Sequence, residues 1–136
     1  MLRALRSIIE KLRRVDPDLA RQLTRCSASL ALNCAEGSYS QGRNRTARYH
    51  VALGSAREVL AVLEVADALG YLKLDEAVAA QLNRIIGTLV KVDRGSAAPE
   101  RSGSLPGALR QSAADSVALT VVVADKQISA IGSARA

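Results

Sequence analysis

The chain has no tryptophan and no phenylalanine, and its three aromatic residues are Tyr39, Tyr49 and Tyr71. That scarcity argues against a surface on which nucleic-acid bases stack between rings. It leaves Leu, Ile, Val and Ala to fill any core. Cysteine is also sparse, with Cys26 and Cys34 the only two. Eight residues apart on one helix, their Cα atoms stand roughly 12 Å apart, beyond disulfide reach. Two free thiols fit a reducing, cytoplasmic location. His50 is the single histidine, so no spacing supports a zinc site, and no cofactor is expected. Ser27, Ser29 and Ser55 lack the His and Asp partners that a nucleophilic serine needs. No apolar run approaches the roughly 18 residues of a membrane span. The start, MLRALRSIIEKLRR, is interrupted by charge too often to be the apolar region of a signal peptide. These absences exclude most catalytic, metal and membrane classes. Neither an enzyme nor a small-molecule substrate is expected.

What is present is helical periodicity and positive charge. The formal net charge is +6 and the sequence pI about 9.9, which favours polyanionic partners. Leu2, Leu5, Ile9 and Leu12 step by three and four, with Ile8 and Val15 widening the face. This predicts an amphipathic helix ending near Val15, with Asp16 capping the next helix and Pro17 at its first position. The second helix carries Leu19, Leu23, Cys26, Leu30, Asn33 and Gly37 in four-three alternation, so Asn33 and Gly37 occupy places where core residues belong. The polar stretch GSYSQGRN predicts its end between Gly37 and Gly42. A third helix starts at Asn44 or a neighbour, with a seam of Tyr49, Ala52, Ala56, Val59, Leu63 and Ala66 and a stop at Gly70. A fourth starts near Leu74 or Asp75, with Val78, Leu82, Ile85, Leu89 and Val92 as its seam. Short connections make sequential helices antiparallel neighbours. The expected fold is an all-α, up-down-up-down four-helix bundle over residues 1–93. Residues 94–136, rich in Gly, Ser, Ala and Pro, read as a disordered tail. Within it the run from Val117 to Ala124 is uncharged and β-prone.

Several residues stand out from this frame. Ser29, Asn33, Ala35, Glu36 and Gly37 form the pattern S-x-x-x-N-x-A-E-G, followed after a basic loop by Tyr49, Ala52, Ser55 and Glu58 and then by Leu69-Gly70-Tyr71. On residues of this kind and spacing, the chain from about residue 5 to 92 resembles the four-helix-bundle family of 23S rRNA intervening-sequence proteins. The first helix lacks the aromatics usual in that family, and the tail after Arg94 has no counterpart in it. The resemblance implies a compact bundle without established enzyme activity that assembles as a homo-oligomer, with a pentamer favoured. Through related accessory proteins of diversity-generating retroelements it implies binding to RNA or to an RNA-associated protein such as a reverse transcriptase.

The residues themselves support a structural reading first. Asn33 on a buried seam must hydrogen-bond or pay a desolvation cost of about 1–3 kcal/mol. Glu36, near the negative end of the second helix, needs a cation, with Arg43, Arg45, Arg48 and Arg57 the candidates. Glu58 is the only carboxylate placed to make an acid pair with it, and no metal or nucleophile accompanies the two. The candidate phosphate contacts are Arg43, Arg45 and Arg48 around the turn, all expected at the surface, and Arg21 and Arg25 on one helical face. Arg3, Arg6, Lys11, Arg13 and Arg14 form a further basic cluster. The expected function is therefore a non-enzymatic oligomeric bundle that binds structured RNA or an RNA-associated protein. The alternative is a protein-interaction module with no nucleic-acid role.

Overall fold

The computed structural model describes residues 1–97. The disordered tail and the β-prone run at Val117 to Ala124 lie outside the described residues. Four helices make up the described chain: α1 (Leu2–Val15), α2 (Pro17–Tyr39), α3 (Gly42–Ala68) and α4 (Glu76–Ala97). Each junction has a chemical cause. The Asp16 carboxylate accepts hydrogen bonds from the N–H groups of Asp18 (3.1 Å) and Leu19 (2.9 Å). Pro17 fills the first position of α2, where a missing N–H costs nothing. At the other end of α3, the Tyr71 N–H reaches the Ala66 carbonyl and the Gly70 N–H the Asp67 carbonyl, both at 2.9 Å. This paired closure needs the left-handed backbone that Gly70 adopts at φ +73°. Asp75 starts α4 by accepting from the Ala77 N–H at 2.7 Å.

Two boundaries differ from the sequence reading. Only Ser40 and Gln41 separate α2 from α3, and Gly42 rather than Asn44 opens α3. Local polarity predicted a longer loop, but packing of flanking helices outweighs such weak propensities. The turn is completed by Gly42 at φ +57°, where an L side chain would be strained. The last helix also runs to Ala97, past the boundary at residue 93. Extending an already packed helix adds one hydrogen bond per residue at little nucleation cost.

The helices form an all-α antiparallel four-helix bundle, with no strand among the described residues. The long hairpin α2–α3 is its spine. Helix α1 packs on α2, and α4 packs on α3. The core is aliphatic: Leu5 and Leu12 of α1, Leu23 and Leu30 of α2, Val59 and Leu63 of α3, and Leu82, Ile85 and Leu89 of α4 are fully or almost fully buried. Leu2 and Val15, expected on the core face of α1, are exposed instead. At about 100° per residue they fall about 60° and 80° to either side of Leu5, at the margins of the stripe. No described helix is long and apolar enough to cross a membrane.

One core residue is chemically out of place. Gln81 is 4% exposed, and neither its amide nitrogen nor its amide oxygen has a hydrogen-bond partner among the described residues. An unsatisfied buried amide costs about 1–3 kcal/mol. Gln81→Met keeps the shape and removes the polar atoms, so a higher urea midpoint with an unchanged m-value is expected. A lower midpoint would mean that the amide is satisfied.

Candidate functional site

The motif residues converge on the contact between α2 and α3. Ser29 and Ser55 face each other with their hydroxyl oxygens 2.8 Å apart. The Ser55 hydroxyl donates to the Val51 carbonyl at 3.0 Å, which leaves Ser29 as donor to Ser55. The Asn33 amide nitrogen donates to the Ser29 carbonyl (2.9 Å) and the Ser29 hydroxyl (3.3 Å). The Asn33 oxygen accepts from Arg48 Nη1 at 3.4 Å, and the same nitrogen stands 2.9 Å from Glu36 Oε2. The chain of bonds thus runs from Glu36 through Arg48, Asn33, Ser29 and Ser55 to the α3 backbone, and each member satisfies the next.

This network answers both questions raised by the sequence. Asn33 sits on the seam because it bridges α2 to the Arg48 guanidinium of α3. The cation that Glu36 requires near the C-terminus of α2 is Arg48, selected from the four candidates. Arg48 and Ser55 are seven residues apart and share the stripe of α3 that faces α2. Arg45 instead lies over the Tyr49 ring, 5.7 Å from its centroid. Arg57 is exposed on the opposite side. Of Arg43, Arg45 and Arg48, expected together at the surface, only Arg43 is fully given to solvent. The other two are half-exposed and hold the hairpin.

Gly37, the other exception on the seam, makes room for Tyr49. A methyl group at Gly37 would stand 2.9 Å from Cε1, 3.0 Å from Cζ and 3.1 Å from Cδ1 of that ring. Glu58 accepts a hydrogen bond from the Gln22 side-chain amide, nearer the far end of the hairpin. Ten residues along α3 separate Glu58 from Arg48, the partner of Glu36, a rise of about 15 Å. The two carboxylates therefore do not form a pair. Among the described residues no three His, Cys, Asp or Glu side chains gather to hold a metal ion. Cys26 and Cys34 are buried free thiols, both pushed up to about 11 from 9.0. Burial is the leading cause for each, aided at Cys26 by the Glu58 carboxylate.

The basic residues lie in separate regions. Arg21 pairs with Asp18 one turn earlier, and Arg25 is exposed beside it. Arg43 projects from the first turn of α3 at the opposite end of the hairpin. On α1, Arg3, Arg6, Lys11, Arg13 and Arg14 are all exposed, with Glu10 the only carboxylate on that helix, 3.0 Å from Arg6. Arg84, Lys91 and Arg94 are exposed on α4. These three were not singled out by sequence reasoning, although their positions off the Val78, Leu82, Ile85 and Leu89 seam mark them as outward. Helices α1 and α4 thus carry most of the outward cationic charge.

The fold is a four-helix bundle whose central hairpin is joined by a polar seam and a glycine–tyrosine contact. The chain belongs to the 23S rRNA-intervening sequence protein family, whose model matches residues 2–91. No curated protein and no solved structure matches the chain.

Proposed function

We propose that this bundle is a non-catalytic, homo-oligomeric, cytoplasmic module that binds structured RNA through phosphate contacts. The observation that carries this reading is the display of exposed Arg and Lys on α1, α4 and the ends of the hairpin, opposed by few carboxylates. A rigid helical scaffold that holds guanidinium and ammonium groups outward can read the spacing of phosphates without reading bases. The polar groups of the α2–α3 seam satisfy one another, so they hold the scaffold together and assign no reaction. Oligomerisation would repeat each basic cluster around the assembly and multiply the contacts.

The test is binding of a base-paired RNA stem across a salt series. The variants are Lys11, Arg13 and Arg14 together to Gln, Arg21 and Arg25 together to Gln, and Arg43→Gln. Wild-type affinity should fall steeply with salt. Each cluster that touches RNA should make the slope of log affinity against log salt shallower by about 0.9 per lost contact. Melting temperatures should stay near wild type, because all these side chains are exposed. Absence of binding at low salt would reject the reading and leave the protein-interaction role.

A further inference from the structure

The face of the α2–α3 hairpin that α1 and α4 leave uncovered is apolar. On α2, Ala28, Leu32, Ala35 and Tyr39 follow one another at four-three-four spacing and are all exposed, Leu32 to 61% and Tyr39 to 92%. On α3, Ala47, Val51, Gly54, Ala61 and Val65 form a matching exposed stripe, with Val51 47% exposed. The two stripes flank the Ser29–Ser55 contact, so they form one surface. Its centre at Gly54 carries a second signal. A methyl group built there meets nothing within 4 Å, so the fold does not require glycine, a poorer helix former than alanine. Glycine at that point admits close approach from outside the chain.

The surface is also complementary to itself. The hairpin contacts Gln22–Glu58, Ser29–Ser55 and Asn33–Arg48 fix which residues stand level. On the outer side Arg25 is level with Glu58, Ala28 with Gly54, Leu32 with Val51, and Tyr39 with Arg43. We infer that this face binds a second copy of the chain, turned about a two-fold axis parallel to the helices, so that α2 of each copy lies on α3 of the other. Leu32 then packs on Val51 of the second copy, and Ala28 packs on its Gly54. Arg25 meets Glu58 of the second copy, and the Tyr39 ring meets its Arg43. The opposite arrangement, with the axis across the helices, would bring the arginine-bearing ends together. The stripe on α2 from Arg21 to Tyr39 is about 27 Å long, and two helices are about 20 Å wide. The face thus covers roughly 500 Å² per copy, close to the lower limit for a specific dimer. This inference rests on the homo-oligomer part of the proposed function and names the surface that makes it.

Sedimentation of the full chain should give a species of at least twice 14.4 kDa. Leu32→Gln and Gly54→Gln alter exposed positions and should weaken association at least tenfold, with unchanged helicity. Gly87→Gln is the control: Gly87 is also helical with open space around it, but it lies on α4. It should leave association intact. Mixing Leu32→Cys protein with Val51→Cys protein under mild oxidation should yield the mixed disulfide in preference to either self-linked product. A monomeric wild type overturns both this inference and the oligomeric part of the proposed function. An oligomer that survives Leu32→Gln and Gly54→Gln, or a loss with Gly87→Gln equal to that with Gly54→Gln, overturns the surface alone. Dominant self-linking of the Leu32→Cys protein overturns the arrangement.

Discussion

Tyr49→Ala is expected to lower the melting temperature by roughly 15–30 °C, the largest effect of any single substitution considered. The ring is 0% exposed and is the bulkiest fully buried side chain of the bundle. It fills the gap left at Gly37, and Arg45 lies over its face. Truncating a buried aromatic costs about 3–5 kcal/mol, because the cavity closes only in part. A domain of this size loses roughly 4–8 °C per kcal/mol. Collapse around the gap is limited, since the Ser29–Ser55 and Arg48–Glu36 contacts hold α2 and α3 apart at a fixed distance. A shift of only a few degrees in a thermal melt would show that the ring does not support this end of the hairpin.

Gly37→Leu should be nearly as damaging, and its sign should depend on Tyr49. In the wild-type background even the first carbon of the new side chain meets the ring at 2.9 Å. Overpacking of this kind costs about 1–3 kcal/mol and occasionally more. Leucine is a better helix former than glycine by somewhat under 1 kcal/mol, which offsets only part of that cost. With Tyr49→Ala already present, the same substitution has a cavity to fill. The helix-propensity gain is then unopposed, and Gly37→Leu should raise stability. Urea midpoints of the two single variants and the double variant give the coupling directly. Equal losses in both backgrounds would mean that Gly37 is glycine for some reason other than the ring.

These contacts mark where sequence reasoning reached and where it stopped. The Asp16 cap, Pro17 and the stop at Gly70 are local chemistry, and each could be read from a few adjacent residues. Asn33 and Glu36 were legible as problems: a polar group on an apolar seam and an acid at a negative helix end. Their solution was not legible, because choosing Arg48 over Arg43, Arg45 or Arg57 depends on the rotation of α3 about its axis. Rotation is fixed by packing across the interface, and no local spacing reports it. The Gly37–Tyr49 contact was hidden for the same reason, since the two residues meet only after the chain reverses. The polar linker misled for a different reason. Composition predicted a loop through Gly42, whereas packing carries α2 to Tyr39 and restarts the helix two residues later. The outer stripes of Ala28 to Tyr39 and Ala47 to Val65 were masked because nearly every face of these helices contains alanine or valine. Only burial separates the stripe that faces inward from the one that does not.

The two thiols give the bundle a built-in clock. Cys26 and Cys34 lie on the buried side of α2 and stay protonated until about pH 11. An unfolded chain ionises its thiols near 9.0. Between those values the unfolded state sheds protons that the folded state keeps, so stability declines as pH rises through that window. At lower pH a thiol reagent meets neither sulfur while the helices are closed. Modification then proceeds only during excursions in which α2 lifts from its neighbours, and its rate counts those excursions. Because the two sulfurs sit two turns apart on one helix, comparing their rates tells whether α2 peels from one end or detaches as a unit. No label or engineered cysteine is needed to observe it.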